Sequence, residues 1–296
     1  MNTLAPSDKL AADTAMGPVT LLVADLDAMT RYYTDAVTLH VLSATEHTVT
    51  LGRGGVPAVI LEHAPDLKHA SPGSAGLFHT AIVFESKAAL AAALYSVARK
   101  APGTFTGSAD HLVSIAFYFT DPEGNGVELY WDRDRTEWSW VHGSVEMTTL
   151  YVDPSDFLSQ NLTEAGQTVP DDESVFGGAQ IGHVHLSVGD VATARQFYVN
   201  TLGFDATTSL GNQALFVSAG GYHHHMAMNV WNSRGAGPRM PALGLGRIDI
   251  QVTEADALGE LTERLTHSKV QVRDDGQTLS FDDPWANLIR VQAATA

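Results

Sequence analysis

The chain repeats itself, and the repeat restricts its fold more than any other feature. The segments GPVTLLVADLDAMTRYY (17–33) and GHVHLSVGDVATARQFY (182–198) share a short apolar strand, an aspartate placed to cap a helix, and a helix ending in an aromatic pair. The spacing from Asp25 to Tyr33 equals that from Asp190 to Tyr198. A second match joins DPEGNGVE (121–128) to DPWANLIR (283–290), each a turn at Asp-Pro followed by a closing strand. Laid out on these matches, the sequence holds four units of strand, helix and three strands, at about 17–63, 77–132, 181–231 and 244–293. The expected class is α+β. The expected organisation is a flexible tail over 1–16, an N-terminal pair of βαβββ units over 17–132, a linker over 133–180, and a C-terminal pair over 181–296.

The linker carries Pro154 and Pro170 without a sustained period. It is too long for a tight connection, so it reads as a crossover with one short helix near 154–165, anchored on the sheets by Trp138 and Trp140. Thirty-four acidic side chains against seventeen basic ones give a net charge of −17, which repels phosphate backbones and excludes nucleic acid and anionic lipid as partners. The absence of cysteine removes disulfide frameworks, thiolate metal sites and cysteine nucleophiles, and suits a reducing compartment. The first residues show no basic-then-apolar leader, and no apolar run reaches the roughly 18 residues of a membrane span. A cytoplasmic chain is expected.

Chemistry concentrates in a few stretches. SADHLVSIAFYFTDPEGNGVELY (108–130) sets His111, Tyr118 and Glu128 around a turn. His79 stands alone in the apolar strand LFHTAIV, and in HVHLSV the strand period places His183 and His185 on one face. The internal run GGYHHHMAMNVW, read as a strand, puts His223 and His225 on one face with Asn229 and turns His224 to the other.

Four such units folded into two curved-sheet cups resemble the vicinal oxygen chelate superfamily, which includes glyoxalases, fosfomycin-resistance enzymes and extradiol dioxygenases. The likeness runs from Gly17 to Gln292. Within it, His111, Phe117-Tyr118, Asp121-Pro122, Gly124 and Glu128 are similar to the extradiol ring-cleavage signature. GLFHTAI, IGHVHLSV and SAGGYHHHMAMNVW extend the resemblance to two-domain catechol 2,3-dioxygenase-like proteins. Metal ligands of that superfamily sit in the middle of a unit's first and last strands. The matching positions here are Thr20, His79, His185 and Asp249 for the first strands, and Glu62, Glu128, Asn229 and Arg290 for the last.

The resemblance implies Fe(II) held by His79, Glu128 and His185, with Mn(II) served equally by such ligands. His183 then falls at the rim. His111 and Tyr118 resemble the family's substrate-oxygen binders, and His223 or His225 its proton donor. The implied reaction is extradiol cleavage of a small catechol-type aromatic by O2, and a homo-oligomer is compatible with it. Two other readings stand beside it: a glyoxalase-like metal-dependent lyase or isomerase built on Glu62, His79 and Glu128, and a non-enzymatic small-molecule binding or resistance protein. Two histidines and a carboxylate gather in one cup only if the second unit meets the third and the first meets the fourth. The cup with Thr20, Glu62, Asp249 and Arg290 is then expected to be metal-free.

Overall fold

The structure, a computed structural model, describes residues 9–253 and 255–293. The first unit contains β1 (Ala15–Val23), α1 (Leu26–Arg31), β2 (His40–Ala44), β3 (Thr48–Arg53) and β4 (Val56–His63). The second contains β5 (Gly76–Phe84), α2 (Lys87–Lys100), β6 (Phe105–Asp110), β7 (Ser114–Thr120) and β8 (Gly126–Asp132). A linker follows with β9 (Trp140–Val141), β10 (Ser144–Val145), α3 (Pro154–Asn161), α4 (Glu164–Thr168) and α5 (Glu173–Phe176). The third unit has β11 (Ala179–Ser187), α6 (Val191–Arg195), β12 (Asp205–Leu210), β13 (Ala214–Ser218) and β14 (Met226–Asn229). The fourth has β15 (Gly244–Val252), α7 (Ala255–His267), β16 (Arg273–Asp274), β17 (Thr278–Asp282) and β18 (Leu288–Ala293).

Each unit pairs its first strand in parallel with its last. Units then join through antiparallel first strands: β5 lies against β11, and β1 against β15. The second unit therefore meets the third, and the first meets the fourth. A single bridge, Ala179 to Arg53, links the two cups into one sixteen-stranded sheet.

The repeated residues explain the repeat. Asp25 and Asp190 cap their helices, accepting from the backbone N–H of Ala28 and Thr193. The aromatic pairs Tyr32–Tyr33 and Phe197–Tyr198 stack edge to face and are buried. Tyr33 then donates to Asp121 Oδ2 at 3.3 Å, and Tyr198 donates to Asp283 Oδ2 at 2.8 Å. Each Asp-Pro turn is closed by that same aspartate, whose Oδ1 accepts backbone N–H groups two and four residues on. The two matched motifs are thus the two halves of one contact, which ties the first unit to the second and the third to the fourth.

Burial pushes the Asp121 carboxyl up to about 6, although the amide and backbone N–H of Asn125, the N–H of Glu123 and the Tyr33 hydroxyl pull it down. A carboxyl raised in the folded state favours folding fully below its ordinary value, and that contribution fades as pH rises through about 6. Asp121→Asn keeps the Oδ1 acceptor and removes the ionisation. Urea denaturation is therefore expected to show the wild type losing about 3 kcal/mol relative to this variant between about pH 3 and pH 7, at about 1.4 kcal/mol per unit. Parallel pH profiles for the two proteins would refute this.

Two expectations need correction. Residues 1–8 of the expected tail lie outside the described residues, but 9–16 are held in place. Lys9 pairs with Asp205 at 2.7 Å, Leu10 is buried with its N–H on Gly203 O, and β1 starts at Ala15. Of the linker tryptophans, Trp138 is buried against Val113, Val145 and Tyr222, whereas Trp140 is exposed. No helix among the described residues is long and apolar enough to cross a membrane.

Candidate metal centre

The cup formed by the second and third units is built around Ala81. On one side Ala81 faces Glu128 of β8, and on the other it faces His183 of β11. The alanine methyl leaves space above the sheet for those two side chains to meet, and His79, two residues earlier on β5, points to the same face. Glu128 Oε2 lies 2.9 Å from His79 Nε2 and 3.2 Å from His183 Nε2. The three donor atoms lie within 4.8 Å of one another, and all three residues are buried.

The donor set fits a divalent cation. His79 Nε2 is buried and, although close to the carboxylate, has no partner in hydrogen-bonding geometry. Burial pushes His183 down to about 4, with Glu128 pulling the other way, so its imidazole is neutral at neutral pH and has a lone pair to give. Two imidazoles and one carboxylate on one face suit a metal that keeps its remaining positions open.

His185 does not join them. It faces His79 across the β5–β11 pair, one row away from Ala81. Its Nε2 takes the amide of Asn229 at 3.0 Å, and Asn229 is held in that orientation because its Oδ1 accepts the N–H of Trp231. His185 and Asn229 are the repeat equivalents of His79 and Glu128. The repeat-equivalent pair is thus engaged with itself, and Glu128 has its second histidine neighbour in the next row, at His183. His183 stands where His185 was expected.

His111 and Tyr118 do come together. His111 Nδ1 is 2.6 Å from Thr148 O, which assigns the ring proton there, so Nε2 accepts from the Tyr118 hydroxyl at 2.7 Å. The linker supplies Thr148 and crosses β6 through the Asp110–Leu150 bridge, which orients His111. Tyr118 lies opposite Glu128 on the adjacent strand, and its ring is 5.7 Å from that of His79. Burial, reinforced by Glu128, holds its hydroxyl well above the ordinary tyrosine range, so it stays a donor.

The three consecutive histidines depart from strand alternation because β14 begins only at Met226. His223 turns to Asp132, with Nε2 2.8 Å from Oδ1. His225 accepts the N–H of Ala219 and packs near Tyr222 and Phe204. His224, which alternation assigned to the opposite face, has its ring centroid 4.1 Å from that of His183, tilted by 50°. Burial holds His224 well below the usual histidine range, helped by His183 and His223. Periodicity put His183 on the same face as His185 without ranking the two, and it turned His224 away from the cup.

Below the group of His79, Glu128 and His183, Tyr130 closes the cup, its hydroxyl 2.7 Å from that of Tyr222. Gly182 permits this, since a Cβ there would come 1.7 Å from Tyr130 Oη. In the other cup Glu62 is exposed on β4, so it cannot share a cation with His79 and Glu128. There Asp249 is fully buried and takes Arg247 Nε at 2.7 Å together with Arg290, an ion pair at the positions equivalent to metal ligands.

The family model described as the Glyoxalase/Bleomycin resistance protein/Dioxygenase superfamily matches residues 15–129 and 180–291. The chain belongs to this superfamily. Among superfamily members, a catechol-2,3-dioxygenase of Bacillus subtilis (strain 168) is 34% identical over 277 residues, covering 92% of this chain and 94% of that protein. A solved structure from Bacillus subtilis subsp. subtilis strain 168 matches with a TM-score of 0.67 at 14% identity, over 97% of this chain and 87% of that one. Glyoxalase I from Zea mays matches with a TM-score of 0.56 at 14% identity, over 95% and 92%. These two structural likenesses show the superfamily's vicinal oxygen chelate fold.

Proposed function

We propose that the protein is an extradiol dioxygenase that opens a small catechol-type aromatic ring with O2, using Fe(II) held by His79, Glu128 and His183. The observation that carries this reading is the Tyr118–His111 pair beside the His79, Glu128 and His183 group. A proton-handling pair next to an open metal position is what a substrate with two adjacent hydroxyls requires. The 34% identity to a catechol-2,3-dioxygenase supports the same class. The metal would supply adjacent coordination positions for the substrate oxygens and for O2, and Mn(II) would meet the same demands.

The surrounding residues have separable tasks. Tyr118 relays a substrate hydroxyl proton, taking it as it passes its own to His111, whose Nε2 Thr148 keeps bare to receive it. His224, beside His183, handles the second hydroxyl proton. Tyr130 and Tyr222 close the base of the cup.

The test is oxygen uptake by anaerobically purified, Fe(II)-loaded protein given a panel of catechols. One O2 consumed per catechol with a yellow ring-opened product is expected. Turnover of a thiol hemiacetal with Ni(II), Co(II) or Zn(II), without oxygen uptake on any catechol, would overturn the proposal in favour of a lyase. Tyr118→Phe is expected to retain its metal and lose about 10- to 100-fold in kcat/KM, the range of one acid–base group. Unchanged kcat/KM would remove Tyr118 from proton handling.

A further inference from the structure

An unbroken hydrogen-bonded chain runs from the cup to a cleft between the two halves. Asp132, at the end of β8, is partly exposed and borders a cleft of about 590 Å³ whose walls include Glu85, Arg135 and Gly178. Its Oδ1 lies 2.8 Å from His223 Nε2, and its Oδ2 accepts the Tyr222 hydroxyl at 2.7 Å. The Nδ1 atoms of His223 and His224 are 2.7 Å apart. His223 is fully buried, so water does not interrupt the chain there.

With a single proton on His223, the two contacts place every proton in the chain. A carboxylate only accepts, so the contact with Asp132 Oδ1 puts the His223 proton on Nε2. A neutral His223 then presents a bare Nδ1. A contact of 2.7 Å between two ring nitrogens needs one hydrogen, which must come from His224 Nδ1. The remaining nitrogen of His224, Nε2, is left bare on the ring that packs tilted against His183.

We infer that Asp132 is a positioning residue for the cup: through His223 it fixes His224 as the Nδ1-protonated tautomer, with Nε2 free to accept a proton. The value of this to catalysis rests on the dioxygenase reading, in which His224 Nε2 takes a substrate hydroxyl proton. The tautomer itself does not depend on that reading. In water the opposite tautomer is the more common form of histidine, so the arrangement has to be imposed, and Asp132 is the group that imposes it.

The test is nitrogen-15 NMR of the whole protein labelled at histidine, first without metal. In the wild type, His224 should show a proton-bearing Nδ1 and a bare Nε2. Asp132→Leu preserves size and removes the acceptor, and the two signals should exchange character. Asp132→Asn, whose amide oxygen still accepts from His223, should restore the wild-type pattern. In Fe(II)-loaded protein, Asp132→Leu should lower kcat about 10-fold or more with metal content and KM nearly unchanged. A wild-type His224 with its proton on Nε2 overturns the inference without any variant, and so does a wild-type pattern that persists in Asp132→Leu. A confirmed tautomer in a protein that never consumes O2 would instead refute the dioxygenase reading and leave the positioning role standing.

Discussion

Glu128→Ala is expected to abolish metal binding and to lower turnover by more than about 1,000-fold. Glu128 provides the only carboxylate of the cation-binding group, and it is the residue that both histidines approach. Without it, two imidazoles remain in a buried pocket with no carboxylate to offset a divalent ion, and two ligands hold such an ion poorly. The neighbouring residues should tolerate the change, because Ala81 already supplies a small side chain on the adjacent strand. Elemental analysis and oxygen uptake on the same preparation check both parts. A variant that keeps a full equivalent of metal would exclude Glu128 as a ligand.

Asp249→Ala should have the largest effect on stability while leaving the metal in place. Asp249 is fully buried beneath Arg247 and Arg290, whose side chains are 22% and 27% exposed. Breaking a buried ion pair typically costs about 3–5 kcal/mol, and the partial exposure of both guanidinium groups reduces this to roughly 2–4 kcal/mol. Two cations would also be left side by side without their shared anion. Urea denaturation should show this loss, and metal content should stay at the wild-type level because the pair lies in the other cup. Loss of metal together with stability would mean that the two cups are not independent.

Local and repeated features were legible in the sequence. Asp25 and Asp190 announce helix caps, and the equal spacing to Tyr33 and Tyr198 announces a contact that the structure shows to reach Asp121 and Asp283. His79, Glu128, His111 and Tyr118 could be found because each lies in a strand or hairpin whose pattern is intact. The choice between His183 and His185 was not available from pattern. Both have the same parity on β11, and what separates them is the register with β5, which sets His183 across from Ala81 and His185 across from His79. Register between strands about a hundred residues apart is decided by packing over the whole cup. His224 was hidden for a different reason. Alternation applies only where the backbone is extended into the ladder, and the chain leaves the ladder before Met226. The docking of residues 9–14 likewise depends on partners, Gly203 and Asp205, that no local pattern connects to them.

Metal stoichiometry of His183→Ala and His185→Ala, each refolded or loaded under the same anaerobic conditions, tests the central claim most directly. The geometry at Glu128 predicts that His183→Ala loses its ion and that His185→Ala, whose ring is engaged by Asn229, retains close to one equivalent. A His183→Ala protein with full metal beside an empty His185→Ala protein would contradict it.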